Sequence, residues 1–145
     1  GEYQVEWSAS FYGPRGVAVG PGGEVFVADT GNNRIVRFAA DGRELRRWGG
    51  QGASSGEFLE PMGMAVDAAG RVHVCDNGNG RLQMFTSDGQ PLGAFPVPGW
   101  KSEVFSEPDV AVDVQGRIWV TVPAAKEIRA YDERCTLLPT LTAQT

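Results

Sequence analysis

The sequence predicts an all-β protein made of three stacked copies of one four-stranded antiparallel unit. The first observation is a repeat. Pro14-Arg15-Gly16-Val17-Ala18-Val19 returns as Pro61-Met62-Gly63-Met64-Ala65-Val66. It returns again, one residue shorter, as Pro108-Asp109-Val110-Ala111-Val112, and each step from proline to proline is 47 residues. A fixed period of this size marks a supersecondary unit that cannot bury its own apolar face, so neighbouring units stack to make the core. The second observation is local. Short apolar or alternating runs are bounded by Gly, Asn and Asp, and no apolar spacing at three and four residues is sustained, so no helix is expected.

In the first copy, Gly16–Val19 is a strand and Gly20-Pro21-Gly22-Gly23 turns the chain. Residues 24–29, with Val25, Phe26 and Val27, form a second strand; Asp29-Thr30-Gly31-Asn32-Asn33 is the next turn, and Arg34–Phe38 is the third strand. Ala40-Asp41-Gly42 turns the chain once more into a fourth strand over residues 44–48. In the Asp-x-Gly-Asn-x-Arg turn, Gly31 is expected to supply the unusual backbone angle. Asp29 is expected to accept backbone N–H bonds within the turn and to pair with Arg34. The later second strands, residues 72–74 and 118–120, are apolar at nearly every position, as a strand covered on both faces would be. Phe26, His73 and Trp119 fall at one place in the three copies, and Phe38, Phe85 and Tyr131 at another; both read as packing between units. Four antiparallel strands in about 40–45 residues is the arithmetic of a β-propeller blade.

On these residues the chain resembles the NHL-repeat family of β-propellers. The resemblance is carried by Pro14-x-Gly16-Val17-Ala18-Val19, by Val25-x-Val27-x-Asp29-Thr30-Gly31-Asn32-Asn33-Arg34-Ile35, and by Trp48 with the Gly-rich stretch to Phe58. The second copy adds Pro61-x-Gly63, Asp67-Ala68-Ala69-Gly70 and Asp76-Asn77-Gly78-Asn79-Gly80-Arg81-Leu82, so that most of residues 14–138 is covered. The resemblance implies a toroid, most often six-bladed, with the innermost strand of each blade beside a central channel. The expected organisation is one propeller segment. Residues 1–13 are the outer strand of a preceding or swapped blade, 14–60 blade one with its linker, 61–107 blade two with its linker, and 108–145 blade three.

Three blades make half a ring. Six units at this period need roughly 280 residues, and the chain has 145. The expectation is a segment of a longer chain, with which Gly1 in place of Met agrees, or else two copies closing the ring as a homodimer or larger assembly. Residues 3–7 read as an outermost strand cut from its other three. A fourth strand over residues 136–141 would then give a closed dimer one strand too many per chain. The two segments would compete for one edge, where Pro139 is acceptable.

Charge and composition narrow the partners. Thirteen basic and 18 acidic residues give a net charge of −5. The arginines of the first copy are balanced by acids and fall on several strands rather than one rim, which disfavours nucleic acid. There is no run near transmembrane length and no signal-peptide pattern at the start, and nothing names a compartment. Cys75 takes a small buried strand position and Cys135 replaces the turn glycines Gly42 and Gly89, so neither disulfide nor redox chemistry is expected.

The candidate binding residues lie in turns and linkers. Asn32, Asn33, Arg34, Asn79 and Arg81 sit in the repeated turn, which the resemblance places on one rim; they serve either the turn itself or a ligand. In the third copy Val122-Pro123-Ala124-Ala125-Lys126-Glu127 replaces the motif, giving a rim position expected to be differently shaped and less polar, with Lys126 in it. Trp100 and Lys101 stand in the linker over residues 96–107, where the indole either covers the blade edge or anchors a partner. No catalytic residue, metal ligand or cofactor is expected. The single histidine, His73, lies mid-strand, so the several-histidine metal centre of some related lyases and hydrolases cannot be built from this segment. Asp29 and Asp76 as calcium ligands would rest on the repeat period alone, and no nucleophile motif is present. The expected function is a non-catalytic binding scaffold that completes a ring with itself or with further blades, a protein partner being compatible. The alternative is part of a metal-dependent propeller enzyme, and the lesser alternative an RNA-binding NHL domain.

Overall fold

The computed structural model describes Trp7, residues 10–100 and residues 107–139. The remainder of the strand expected over residues 3–7 lies outside the described residues, as does Lys101. The first sheet is β1 (Gly16–Val19), β2 (Val25–Asp29), β3 (Arg34–Phe38) and β4 (Glu44–Gly49), hydrogen-bonded in that order. The second is β5 (Pro61–Val66), β6 (Val72–Asp76), β7 (Arg81–Phe85) and β8 (Pro91–Pro96); the third is β9 (Val110–Val112), β10 (Ile118–Val122) and β11 (Glu127–Tyr131). Every pairing is antiparallel, and the register repeats, with Ala18 opposite Phe26, Ala65 opposite His73, and Ala111 opposite Trp119. The extra residue of the second copy is taken up by an irregularity between Pro61 and Met64, so the third copy is shorter without losing register.

The third sheet has three strands among the described residues. The strand expected over residues 136–141 begins as an isolated bridge of Leu137 to Tyr131, and the Leu138 N–H donates to the Ala130 carbonyl at 2.8 Å. Pro139 follows, and residues 140–141 of the expected strand lie outside the described residues.

Strands two and three of each blade are joined by a single 3-10 turn: Thr30–Asn32, Asn77–Asn79 and Pro123–Ala125. Each is closed by a left-handed residue, Asn33 at φ 52°, Gly80 at φ 63° and Lys126 at φ 56°. Two expectations are corrected here. The positive angle belongs to Asn33, not Gly31. Gly31 is needed for space, since its N–H donates to the Tyr12 carbonyl at 2.8 Å and a Cβ would overlap that oxygen. The third turn is not differently shaped, because its backbone repeats the other two. Proline fits the first position of a helical turn, whose N–H has no partner within the turn.

The core consists of two junctions between blades. At the first, Phe26, Ala28, Ile35 and linker residue Phe58 meet Met64, Val72, Val74 and Phe85. At the second, Cys75, Leu82, Val97 and Trp100 meet Val110, Ile118, Val120, Val122 and Tyr131. Strand β6 belongs to both and is buried along its whole length. A buried Val, Leu, Ile or Phe contributes about 1.5–3 kcal/mol relative to exposure, so the stack, rather than any single sheet, supplies the stability. The outer ends are closed by ring pairs: Trp48 lies 5.7 Å from Phe85, Phe95 lies 4.7 Å from Tyr131, and Trp7 lies 5.7 Å from Phe38.

The inner strands approach so closely that a Cβ on Gly16 would overlap the Met62 carbonyl oxygen. Gly16→Ala is expected to lower unfolding stability by about 1–3 kcal/mol through overpacking. Gly93→Ala, where a Cβ meets nothing within 4 Å, is expected to change it by less than about 0.5 kcal/mol. Urea unfolding of both variants checks the contrast.

Candidate functional site

The repeated turn is organised around a fully buried carboxylate. Asp76 Oδ1 accepts the Leu59 N–H at 2.9 Å, and Oδ2 accepts from Asn79 Nδ2 (2.9 Å), Arg81 Nε (2.8 Å) and Gln83 Nε2 (3.2 Å). Asp29 repeats the arrangement, with Oδ1 accepting the Tyr12 N–H at 2.8 Å and Oδ2 accepting Asn32 Nδ2 and Arg34 Nε, both at 2.8 Å. The backbone donors come from the linker entering the blade, not from within the turn as the sequence suggested. A buried carboxylate with a cation and several donors is satisfied, and each one here fastens a linker to a turn.

The predicted rim residues are therefore brought together, with their polar atoms turned into the fold. Asn79 also donates to the Gly52 carbonyl at 2.8 Å, and Arg81 reaches the Ala53, Ser54 and Glu57 carbonyls, each at 3.0 Å. Asn33 Oδ1 accepts the Glu60 N–H at 2.8 Å, while Asn32 and Arg34 both reach the Ser10 carbonyl. Trp100 is 5% exposed and its Nε1 donates to the Thr121 carbonyl at 2.9 Å, so the indole is packed into the junction between blades two and three. Lys126 is exposed, beside a Glu127–Arg129 ion pair of 2.8 Å. Asp76→Ala leaves Arg81, Asn79 and the Leu59 N–H without their acceptor. It is expected to cost about 3 kcal/mol, measured by urea unfolding.

A second pair of carboxylates was not singled out by the sequence. Asp67 Oδ2 accepts Arg71 Nε (2.8 Å) and binds His73 Nε2 (2.9 Å), while Oδ1 accepts the Ala69 and Arg71 N–H groups. Asp113 does the same with Arg117 Nε (2.6 Å), Trp119 Nε1 (2.9 Å) and the Gln115 and Arg117 N–H groups. An Asp four residues before Arg and six before an N–H-bearing ring is the signal that finds both. The first copy has Gly20, Glu24 and Phe26 at these places and lacks the bond. The Trp119 hydrogen bond and the Arg117 side chain hold Asp113 well below the usual carboxylate range. Burial alone would raise Asp67, but bonds from His73 and Arg71 outweigh it and lower it.

Burial depresses His73 below its ordinary value of 6.5, opposed in part by Asp67. A neutral ring donating from Nε2 to an ionised Asp67 fits both directions. Protonation is then disfavoured in the folded state. The stabilising contribution is complete above 6.5 and is lost as pH falls below it. Asp67, lowered from 3.8, loses its contribution only in stronger acid. The melting temperature is expected to fall between pH 7 and pH 5, and His73→Gln, which keeps a donor for Asp67, is expected to remove most of that fall. Thermal melts at the two pH values check it.

Where the three inner strands begin, a cleft of about 320 Å³ has Met62 and Met64 along its base and Arg15, Glu107 and Asp109 around it. Arg15 pairs with Glu107 across the arc, joining the lead-in to blade one with that to blade three. Carboxylates, a guanidinium and an apolar base can orient a ligand, and no nucleophile with an adjacent base accompanies them among the described residues. The described residues do not fit a metal centre. His73 is committed to Asp67 inside a blade, Asp29 and Asp76 are each saturated by their own arginine, and no cluster of three His, Cys, Asp or Glu residues is suitably arranged.

This geometry defines the chain as an arc of three β-propeller blades. Residues 11–38 match the NHL repeat. None of the curated protein sequences matches the chain. Among solved structures, streptogramin B lyase superposes with a TM-score of 0.71 at 18% identity, covering 95% of this chain and 43% of that one. Virginiamycin B lyase of Staphylococcus aureus superposes at 0.68 and 18% identity, over 91% and 42%. A gluconolactonase of Xanthomonas campestris superposes at 0.59 and 28% identity, over 79% and 36%. The chain thus spans about two fifths of the length of the structures it matches.

Proposed function

We propose that this chain is a non-catalytic binding scaffold, an arc of blades that completes a six-bladed ring by self-association or with further blades of a longer chain. The observation that carries the reading is the state of its two end faces. Val17 of β1 is 67% exposed, whereas its counterpart Met64 in β5 is 5% exposed. Ile128 of β11 is 44% exposed, whereas its counterpart Leu82 in β7 is fully buried. At these two register positions an apolar side chain is buried where another blade adjoins and exposed where none does, while Phe38 on the outer face of blade one is covered by Trp7. Exposed apolar faces of this kind mark association surfaces. The cleft between Arg15 and Asp109 is the working surface of the scaffold, open to a protein partner along the axis of the ring.

A propeller enzyme is the second reading, favoured by the lyase and gluconolactonase neighbours. In it this arc forms a wall of the channel and the reacting groups come from other blades. Solution mass by light scattering tests the first reading. The purified chain, of 15.5 kDa, is expected to associate into a defined multiple of that mass. A monomer with a cooperative melt would show that the end faces need no cover.

A further inference from the structure

We infer that Asn79 is a site of spontaneous deamidation through Gly80, held off by the Asp76 clamp, and that its product prevents the clamp from reclosing. The sequence Asp76-Asn77-Gly78-Asn79-Gly80 places two Asn-Gly pairs in one turn. Asparagine before glycine is chemically labile. The glycine backbone nitrogen attacks the side-chain carbonyl carbon of the asparagine and a C–N bond forms. The side-chain amide leaves as ammonia, taking the proton of the glycine N–H. Water then opens the cyclic imide at either carbonyl, giving aspartate or its iso form with an extra main-chain methylene. No oxidant, reductant or cofactor is needed. Glycine permits the attack because it has no Cβ to crowd the ring and its backbone turns freely.

The fold restrains both reacting groups. Asn79 Nδ2, the leaving nitrogen, donates to the Gly52 carbonyl at 2.8 Å and to Asp76 Oδ2 at 2.9 Å. The Gly80 N–H, the nucleophile, donates to the Asn77 carbonyl at 3.0 Å. Attack therefore waits for an opening that frees the linker from the turn, and its rate follows the open population. Asn79 is the site rather than Asn77. Asn77 is 6% exposed and the Gly78 N–H is tied to the Leu59 carbonyl at 2.8 Å, whereas Asn79 and Gly80 are half-buried. The new carboxylate puts an oxygen where Nδ2 was, 2.9 Å from Asp76 Oδ2 and 2.8 Å from the Gly52 carbonyl. A donor has become an acceptor facing two acceptors, one of them a like charge. The linker that positions blade two is then not recaptured. The reaction is confined to blade two. In blade one Asn32 holds Asp29 in the same way but precedes Asn33, and the third turn has Ala125 before Lys126. Those two left-handed residues make the same turn at φ 52° and 56°, so Gly80 at φ 63° is not needed for its shape.

Peptide mapping by mass spectrometry of the whole chain, aged in mildly alkaline buffer with and without guanidinium chloride, reads the site. Modification at Asn79 is expected to be at least about tenfold slower in the folded chain than in denaturant. Gly80→Asn, which copies Asn33, is expected to slow it by a similar factor in denaturant. Equal rates in folded and denatured chain would overturn the protection by the clamp. Asn77 modified before Asn79 in the folded chain, or a rate in denaturant unchanged by Gly80→Asn, would overturn the site. Melting curves of Asn79→Asp and Asn79→Ala test the product. Both lose the donor, and the acid is expected to melt several degrees lower because it adds a repelling carboxylate. Equal melting would overturn the claim that the product bars reclosure. The same pair of substitutions at Asn32, which donates to Asp29 at 2.8 Å, repeats the comparison in a second clamp should the blade-two variants not fold.

Discussion

A blade of this protein is apolar on both faces, and neither face can be covered from within its own sheet. That constraint organises everything else. Strand β6 satisfies it, being buried along its whole length between two neighbours. The first blade satisfies it on one side, where Phe26 and Ile35 meet Val72, Val74 and Phe85. Hydrogen bonds hold each sheet together, but they only replace bonds that the unfolded chain makes to water, and each nets about 1 kcal/mol. The surplus that favours one stacked structure comes from the junctions.

The polar groups serve the same end. Asp29 and Asp76 look like ligand-binding groups in a linear sequence because they recur with Asn and Arg at a rim. In the fold each one binds the linker that delivers its blade, and Arg81 alone spans three carbonyls of that linker. These clamps set where the next sheet begins and so which apolar residues face each other. The third copy replaces its clamp with Val122, which is buried in the second junction. Blade three exchanges a polar tie for apolar packing and keeps the same turn.

The blades and their register were legible in the sequence because a 47-residue period and strand alternation are properties of residue order. The use of the rim side chains was not. Whether Asn79 points at a ligand or at the Gly52 carbonyl depends on the path of a linker that composition does not determine. The left-handed residue was assigned to Gly31 because glycine is the default for that angle, whereas asparagine tolerates it and Gly31 was needed for a close approach to Tyr12. The Asp67–His73 and Asp113–Trp119 bonds were hidden because an aromatic column reads first as packing.

Native-state hydrogen exchange of the chain in monomeric form tests most directly whether covered faces, rather than the sheets themselves, carry the stability. Strands β2, β6 and β10 are each central in their sheets and paired on both sides, so they differ mainly in how many faces are covered. The account predicts that β6 exchanges only through global unfolding, while β2 and β10 open at lower free energy. Equal protection of the three strands in the monomer would contradict it.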